Sequence, residues 1–287
     1  MKQTETLKAI AVRRAATIVP GAPNALFARI IEDRGFEAVY VTGAGIANMH
    51  LGAPDIGLTS LTEVAAVVAA IADAVDIPLI VDGDTGFGNA LNVRRTVRLL
   101  ERAGAAGIQI EDQVFPKKCG HFDGKAVVSE GEMIGKIRSA VDARLDDDLQ
   151  IIARTDAVAV EGFDRALDRA RSYIEAGADL TFVEAPESID QLARIPRELD
   201  IPQVANIVVG GRTPELPNPQ LAEFGFSLVI YANAVLQAAV KASSDVLEIL
   251  RESGDLTAAA DRLVSFEDRQ RLVHKPQWDQ LEQHYRE

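Results

Sequence analysis

Two hydrophobic rhythms alternate along this chain. Short apolar, β-branched runs appear at 16–20 (ATIVP), 38–43 (AVYVTG), 78–84 (PLIVDGD), 107–112 (GIQIED), 150–156 (QIIARTD), 180–186 (LTFVEAP), 203–208 (QVANIV) and 227–232 (SLVIYA). Near-continuous apolar runs of this length suit strands covered on both faces, as in a parallel sheet. Between them, segments such as 25–35, 61–75 and 92–104 carry apolar residues at helical spacing. Several of these segments end in Gly or in Asp-x-Pro just before the next run (RGFEA, RAGAAG, EAGAD, VDIP, LDIP), which are helix-stop signals. A strand followed by a helix, eight times over, predicts an α/β protein with a (β/α)8 TIM-barrel fold. A doubly wound open sheet normally needs fewer units, and no G-x-G-x-x-G follows a strand.

Beyond the eighth run the pattern stays helical. AVLQAAVKASSDVLEILRES reads as one long helix, and TAAADRLVSFEDRQRLV and KPQWDQLEQHYRE as two shorter ones. No linker or low-complexity stretch intervenes, so we read a single barrel domain over 1–287, with 233–287 as a helical extension. Such an extension packs on its own barrel or on a neighbouring subunit; the pattern alone leaves both open.

Composition narrows the class. A chain of 287 residues, 47% hydrophobic, can bury one large core. A net charge of −13 disfavours nucleic acid and anionic membrane surfaces as partners. The single cysteine excludes an intramolecular disulfide and fits a reducing cytoplasm. The N-terminus MKQTETLKAI has no apolar signal core, and no apolar run approaches the ~20 residues needed to span a bilayer.

In a barrel of this kind, chemistry collects at the C-terminal ends of the strands. Run three ends VDGDTGFG, placing Asp82 and Asp84 two apart and therefore on one face. Two inward carboxylates in one small space require a proton or a cation, and a hard divalent cation such as Mg2+ is the usual solution. Asp-Gly-Asp is equally a turn signal, and acids at strand ends also cap helices. Run four adds Glu111 and Asp112, of which alternation lets only one face inward; Asp55 lies in the loop after run two. Run five carries Arg154, an anion clamp if it faces the mouth and a structural ion-pair partner otherwise. Glu184 ends run six and Asn206 lies in run seven, each either at the mouth or satisfied within the core.

Residues 113–130, QVFPKKCGHFDGKAVVSE, form a connection longer than the 2–6 residues usual between a strand and its helix. A long loop at a barrel mouth is a typical lid. It holds the only cysteine, Cys119, with Lys117, Lys118 and His121 around it. Their positive field favours the thiolate or makes the thiol a ready proton donor.

PKKCGH, together with VDGDTGFGN, IEDQ, ARTDA and VEAP in that order, resembles the isocitrate lyase and phosphoenolpyruvate mutase superfamily over about residues 5–240. The resemblance implies a (β/α)8 barrel, Mg2+ (Mn2+ as a substitute), a 2-oxo or 2-hydroxy acid substrate, and a homotetramer whose C-terminal helix is exchanged between subunits. The lid cysteine resembles the carbon–carbon lyase branch, since phosphonate mutases and phosphonopyruvate hydrolases carry other residues there. The chain is too short for an isocitrate lyase proper. NIVVGGRTP at 206–214 is closer to the 2,3-dimethylmalate lyase group than to the methylisocitrate lyases, and Thr42-Gly43-Ala44 departs from the usual family triplet after run two.

By that resemblance Asp82 is the direct metal ligand, and Asp84, Asp55 and Glu111 act through water. Thr42, Gly43, Ala44 and Arg154 hold the substrate's oxo-acid end, Gly120, His121, Asn206 and Glu184 the leaving carboxylate, and Thr213 is a further substrate-binding residue. Cys119 protonates the carbanion, with Lys117 tuning it, and Tyr40 matches the base position at the hydroxyl; a core tyrosine is the other reading. The expected substrate is a di- or tricarboxylate, a substituted malate of the 2,3-dimethylmalate or 2-methylisocitrate class, cleaved by a retro-aldol or retro-Claisen step to pyruvate and a carboxylic acid. The alternatives are carbon–phosphorus chemistry of the carboxyvinyl-carboxyphosphonate or phosphoenolpyruvate phosphonomutase type, and oxaloacetate hydrolysis or decarboxylation. A barrel used only for binding would be expected to lack one of Asp82, Arg154 or Cys119, and all three are present.

Overall fold

Eight parallel strands, β1 (Thr17–Ala22), β2 (Val39–Val41), β3 (Leu79–Asp82), β4 (Ala105–Glu111), β5 (Gln150–Thr155), β6 (Leu180–Val183), β7 (Gln203–Asn206) and β8 (Leu228–Tyr231), follow one another in order and close into a barrel. The seam is the β8–β1 pairing, Thr17 opposite Leu228 through Pro20 opposite Tyr231. The computed structural model describes residues 1–118, 120 and 124–286. All eight strands fall where the apolar runs predicted them, and β3, β4, β5 and β6 are buried at every position, because helices cover the outside while side chains fill the inside.

Two apolar layers result. Outward residues of the strands, among them Val39, Val41, Ile108, Ile110 and Ile151, pack under the helices Ala25–Asp33, Leu61–Ala72, Ala90–Arg102 and Glu130–Ala143. Inward residues Val19, Tyr40, Ile80, Ile152, Phe182, Val204, Leu228 and Ile230 fill the barrel. The bottom is stoppered by Leu7, Ile10 and Ala11 of a helix at Gln3–Val12, whose short apolar stripe was not among the elements read from the pattern. Leu7 packs so closely on β4 that a Cβ on Gly107 would stand 2.8 Å from Leu7 Cδ2.

The runs overshoot the strands at the top for local reasons. Thr42 leaves β2 to cap a short helix, its Oγ1 accepting from Gly45 N. After Asp82 the chain turns away through Asp84 (φ 47°), Gly86 (φ 83°) and Phe87 (φ 57°), left-handed conformations that no strand sustains. Helix starts follow side-chain caps, with Asn24, Ser60, Asn89, Ser129 and Ser188 accepting from first-turn amides, each contributing about 1 kcal/mol.

The helical extension is present. Its first helix, Ala234–Ser253, is unbroken. The second predicted helix divides into a 3-10 stretch at Thr257–Arg262 and a helix at Phe266–Leu272, because Ser265 accepts from Asp268 N and starts a new helix. Arg271 pairs with Asp33 at 2.5 Å, tying the extension to the barrel's first outer helix. Among the described residues no helix is long and apolar enough to cross a membrane.

Candidate active site

Strand alternation delivers one set of side chains to the barrel top. Tyr40 comes from β2, Asp82 from β3, Glu111 from β4, Arg154 from β5, Phe182 from β6, Asn206 from β7 and Ile230 from β8; with Thr42, Ala44, Asp55, Lys117, Lys118, Gly120, Glu184, Val208, Ala232 and Asn233 they line one cleft. Its position at the C-terminal ends of the strands is the one at which barrels of this type carry their chemistry.

One side of the cleft is acidic. Asp82 Oδ1 accepts from Asp84 N (3.1 Å) and from Gln109 Nε2 (3.3 Å), and Oδ2 faces Gly43 N at 3.4 Å. A Cβ on Gly43 would meet Asp82 Oδ2 at 3.0 Å and Asp84 Oδ1 at 3.3 Å, so two carboxylate oxygens share the space against that bare backbone. Lys117 reaches in from the long loop, its Nζ 2.5 Å from Asp55 and 2.8 Å from Asp84. Burial pushes Asp84 up; Lys117 opposes this and Asp82 adds to it, leaving the carboxyl at about 6. Burial likewise raises Glu111 well above the carboxylate range, against the pull of Arg154. Lys117 is held above its ordinary value because Asp84, Glu111, Asp82 and Asp55 outweigh its burial.

The opposite side is built on Arg154. Its Nε and Nη2 donate to Asp156 at 2.8 and 3.0 Å, Glu111 stands at 3.3 Å and Glu184 at 3.5 Å, and the guanidinium lies 5.2 Å above the Phe182 ring. Such a planar fork, buried and aimed into a cleft, suits a carboxylate. Asn206 Nδ2 donates to Glu184 at 3.5 Å. A Cβ on Gly120 would stand 2.5 Å from Arg154 Nη2 and 2.9 Å from Glu184 Cδ, so the backbone there lies directly on both groups.

The donor set fits a divalent cation. Glu111 Oε1 is buried without a hydrogen-bond partner among the described residues, and Asp84 Oδ1 meets only the Lys117 ammonium. Six carboxylates (Asp55, Asp82, Asp84, Glu111, Asp156, Glu184) face three cations buried among them, Lys117, Lys125 and Arg154. Among the described residues no three acids, imidazoles or thiols converge as a closed cage. Few direct ligands in an acid-rich, oxygen-only surround match a cation such as Mg2+ that keeps part of its water.

Of the residues singled out from the sequence, Tyr40, Thr42, Ala44, Asp55, Asp82, Glu111, Lys117, Gly120, Arg154, Glu184 and Asn206 meet in the cleft. Gly43 and Asp84 stand immediately behind it, through Asp82 and Lys117. Thr213 is not among the lining residues; it is buried in the loop after β7 with Oγ1 unbonded among the described residues. Cys119 and His121 lie outside the described residues. In the same region Val208 lines the cleft, whereas Phe115 packs on Gly57. Asp112 faces outward, as alternation required, accepting from Thr155 (2.7 Å), Tyr173 (2.8 Å) and Asp156 N (2.9 Å). Tyr40 donates to Gln109 Oε1 at 3.2 Å, and burial followed by Asp82 raises its pKa well above the usual phenol value.

Sequence reading missed Gln109, Asp156, Lys125 and Asn233. Gln109 and Asp156 sit two residues from Glu111 and Arg154, so the same alternation pointed to them. Asn233 lies just past β8, where its Oδ1 is 3.4 Å from Thr42 Oγ1, and no local pattern marked it.

An acid cluster and a guanidinium clamp facing each other at the top of a (β/α)8 barrel define an enzyme acting on a small anionic substrate. The phosphoenolpyruvate phosphomutase family matches residues 7–251, and the chain belongs to it. It is 45% identical to the 2,3-dimethylmalate lyase of Eubacterium barkeri over 93% of both chains. It is 46% identical to a 2-methylisocitrate lyase of Aeropyrum pernix over 90% of this chain and 82% of the relative. Among solved structures, oxaloacetate acetylhydrolase with 3,3-difluorooxalacetate superimposes with a TM-score of 0.94 at 31% identity, covering 99% of this chain and 97% of that one. Phosphonopyruvate hydrolase with oxalate and Mg2+ superimposes with a TM-score of 0.90 at 31% identity, covering both chains fully. Within this superfamily the chain is a carbon–carbon lyase.

Proposed function

We propose that this lyase cleaves a substituted malate, of the 2,3-dimethylmalate or 2-methylisocitrate class, to pyruvate and a carboxylic acid. The observation that carries the reading is the placement of Arg154 across one cleft from Asp82, Asp84 and Asp55, with Lys117 and Gly120 of the long loop folded between them. Arg154 and the backbone at 42–44 hold the oxo-acid end. Asn206, Glu184 and the Gly120 backbone receive the second carboxylate. Tyr40 orients the hydroxyl as a hydrogen-bonding phenol. The hydroxyl proton leaves to a carboxylate of the cluster, the C2–C3 bond breaks, and its electron pair passes to C3. Cys119 returns a proton there, in the role the family resemblance gives it, with Lys117 tuning its acidity. Asp82 directly, and Asp84, Asp55 and Glu111 through water, would hold Mg2+ or Mn2+, which as a Lewis acid supplies charge neutralisation at the oxo-acid oxygens.

The extension supports an assembly, a homotetramer by the family resemblance. Val240, Leu247, Val264, Phe266 and Trp278 are all more than half exposed, and such a surface fits burial against another subunit.

A second reading, oxaloacetate hydrolysis, draws support from the superposition on oxaloacetate acetylhydrolase. The experiment is pyruvate release with Mg2+, coupled to lactate dehydrogenase, from 2,3-dimethylmalate, 2-methylisocitrate, citramalate and phosphonopyruvate, with oxalate release followed from oxaloacetate. Turnover of a substituted malate, abolished in Cys119→Ser, is the expected result. Turnover of oxaloacetate or phosphonopyruvate alone, surviving that substitution, would overturn the lyase reading.

A further inference from the structure

The long loop contributes a further lysine, Lys125, that none of the roles above uses. Lys125 lies beyond the lid motif, yet its side chain is 2% exposed. Its Nζ stands 2.8 Å from Asp156 Oδ1 and also donates to the Gly120 carbonyl. Asp156 Oδ1 is the oxygen that accepts from Arg154 Nη2, while Oδ2 accepts from Arg154 Nε. One carboxylate oxygen thus bridges a lysine from the loop and the guanidinium of β5. Asp156 is itself fixed, because its amide donates to Asp112 Oδ1 at 2.9 Å and Asp112 also takes the Thr155 hydroxyl.

Charge explains why the bridge matters. Arg154 is hemmed in by Glu111, Asp156 and Glu184, three acids on one guanidinium. An anionic substrate approaching such a group meets repulsion as well as attraction, and at low local dielectric neither is small. Lys125 draws part of the charge of Asp156 away from the cleft. It also holds the Gly120 peptide in place, where the backbone lies on Arg154 and Glu184.

We propose that Lys125 is a positioning residue for the substrate's carboxylates: through Asp156 it keeps Arg154 available to an anion, and through the Gly120 carbonyl it fixes the loop backbone against that guanidinium. The inference deepens the lyase reading and rests on it for the identity of the substrate, but anion binding tests it separately.

The test compares wild type, Lys125→Met, which keeps the stem and removes the charge, and Lys125→Arg, which keeps the charge. Oxalate, as the probe, is titrated calorimetrically with Mg2+ present; kcat and KM are measured on the best substituted malate, and Tm by thermal melting. The expected result is an oxalate Kd and a KM raised about tenfold or more in Lys125→Met, with kcat changed far less. Lys125→Arg recovers most of the loss. Oxalate bound by Lys125→Met within twofold of wild type would overturn the proposal, as would a loss equally large in Lys125→Arg. If wild type binds oxalate but cleaves no substituted malate, the lyase reading falls alone and the oxalate constants still decide the role of Lys125.

Discussion

Lys117 Nζ lies 2.8 Å from Asp84 Oδ1, with the two side chains only 4% and 8% exposed. The same ammonium stands 2.5 Å from Asp55, so one loop lysine balances a buried acid and a half-buried one from two different barrel loops. Lys117→Met leaves those acids facing Asp82 without a cation, and breaking a buried pair in this way costs about 3 kcal/mol. The expected outcome is a clear drop in Tm without added metal, partly reversed by Mg2+, and activity at least about 100-fold lower. Melting curves with and without Mg2+ check it; an unchanged Tm would mean the lysine does not balance these acids.

Gly120 is required for space. Any side chain there collides with Arg154 Nη2 at 2.5 Å and Glu184 at 2.9 Å. Gly120→Ala therefore displaces the clamp or the loop backbone while leaving the barrel core untouched. We expect kcat/KM to fall at least about 100-fold, since displacement by about 1 Å has that effect, with Tm within about 2 °C of wild type. A large loss of Tm with retained activity per folded molecule would contradict the placement.

The inward Asp82 and Arg154 were legible because strand alternation carries its own geometry, whereas Asp84 reaches Asp82 through the left-handed turn after β3 rather than through strand spacing. The eight strands were legible for the same reason: burial on both faces writes itself as a short apolar run. What stayed hidden is non-local. Lys117 meets Asp55 across 62 positions, and Asp156 meets Lys125 across 31, contacts no periodicity encodes. Strand ends were overestimated where a cap or a left-handed turn ends the ladder, as at Thr42 and Asp84. Thr213 rests on motif alone and is not among the residues that line the cleft.

Tyr40 offers a choice between two roles with different magnitudes. Its hydroxyl donates to Gln109 Oε1, and Gln109 Nε2 in turn donates to Asp82, so the phenol belongs to a buried chain of hydrogen bonds. Tyr40→Phe leaves the Gln109 carbonyl without this donor, at a cost of about 1–2 kcal/mol. If the phenol only orients the hydroxyl, kcat falls about 10–100-fold and the pH–rate profile keeps its shape. A fall beyond about 1000-fold, with a lost limb in that profile, would assign the tyrosine to the base role. Steady-state rates across pH separate the two.

Asp156 ties the clamp to acid stability. Burial alone would raise its pKa, but Arg154 and Lys125 override that and hold the carboxyl at about 2, below its ordinary 3.8. The unfolded chain therefore binds this proton before the folded one does. The stabilisation is fully present above about pH 4 and is lost as pH falls toward 2; by linkage it amounts to about 2 kcal/mol. In Asp156→Asn that contribution is absent at every pH. The variant is less stable than wild type at neutral pH, and the gap narrows between pH 4 and pH 2. Urea unfolding midpoints at pH 7, 4, 3 and 2 measure the gap. A constant difference across that window would mean that Asp156 titrates near its ordinary value and that the bridge between Arg154 and Lys125 does not carry the charge assigned to it.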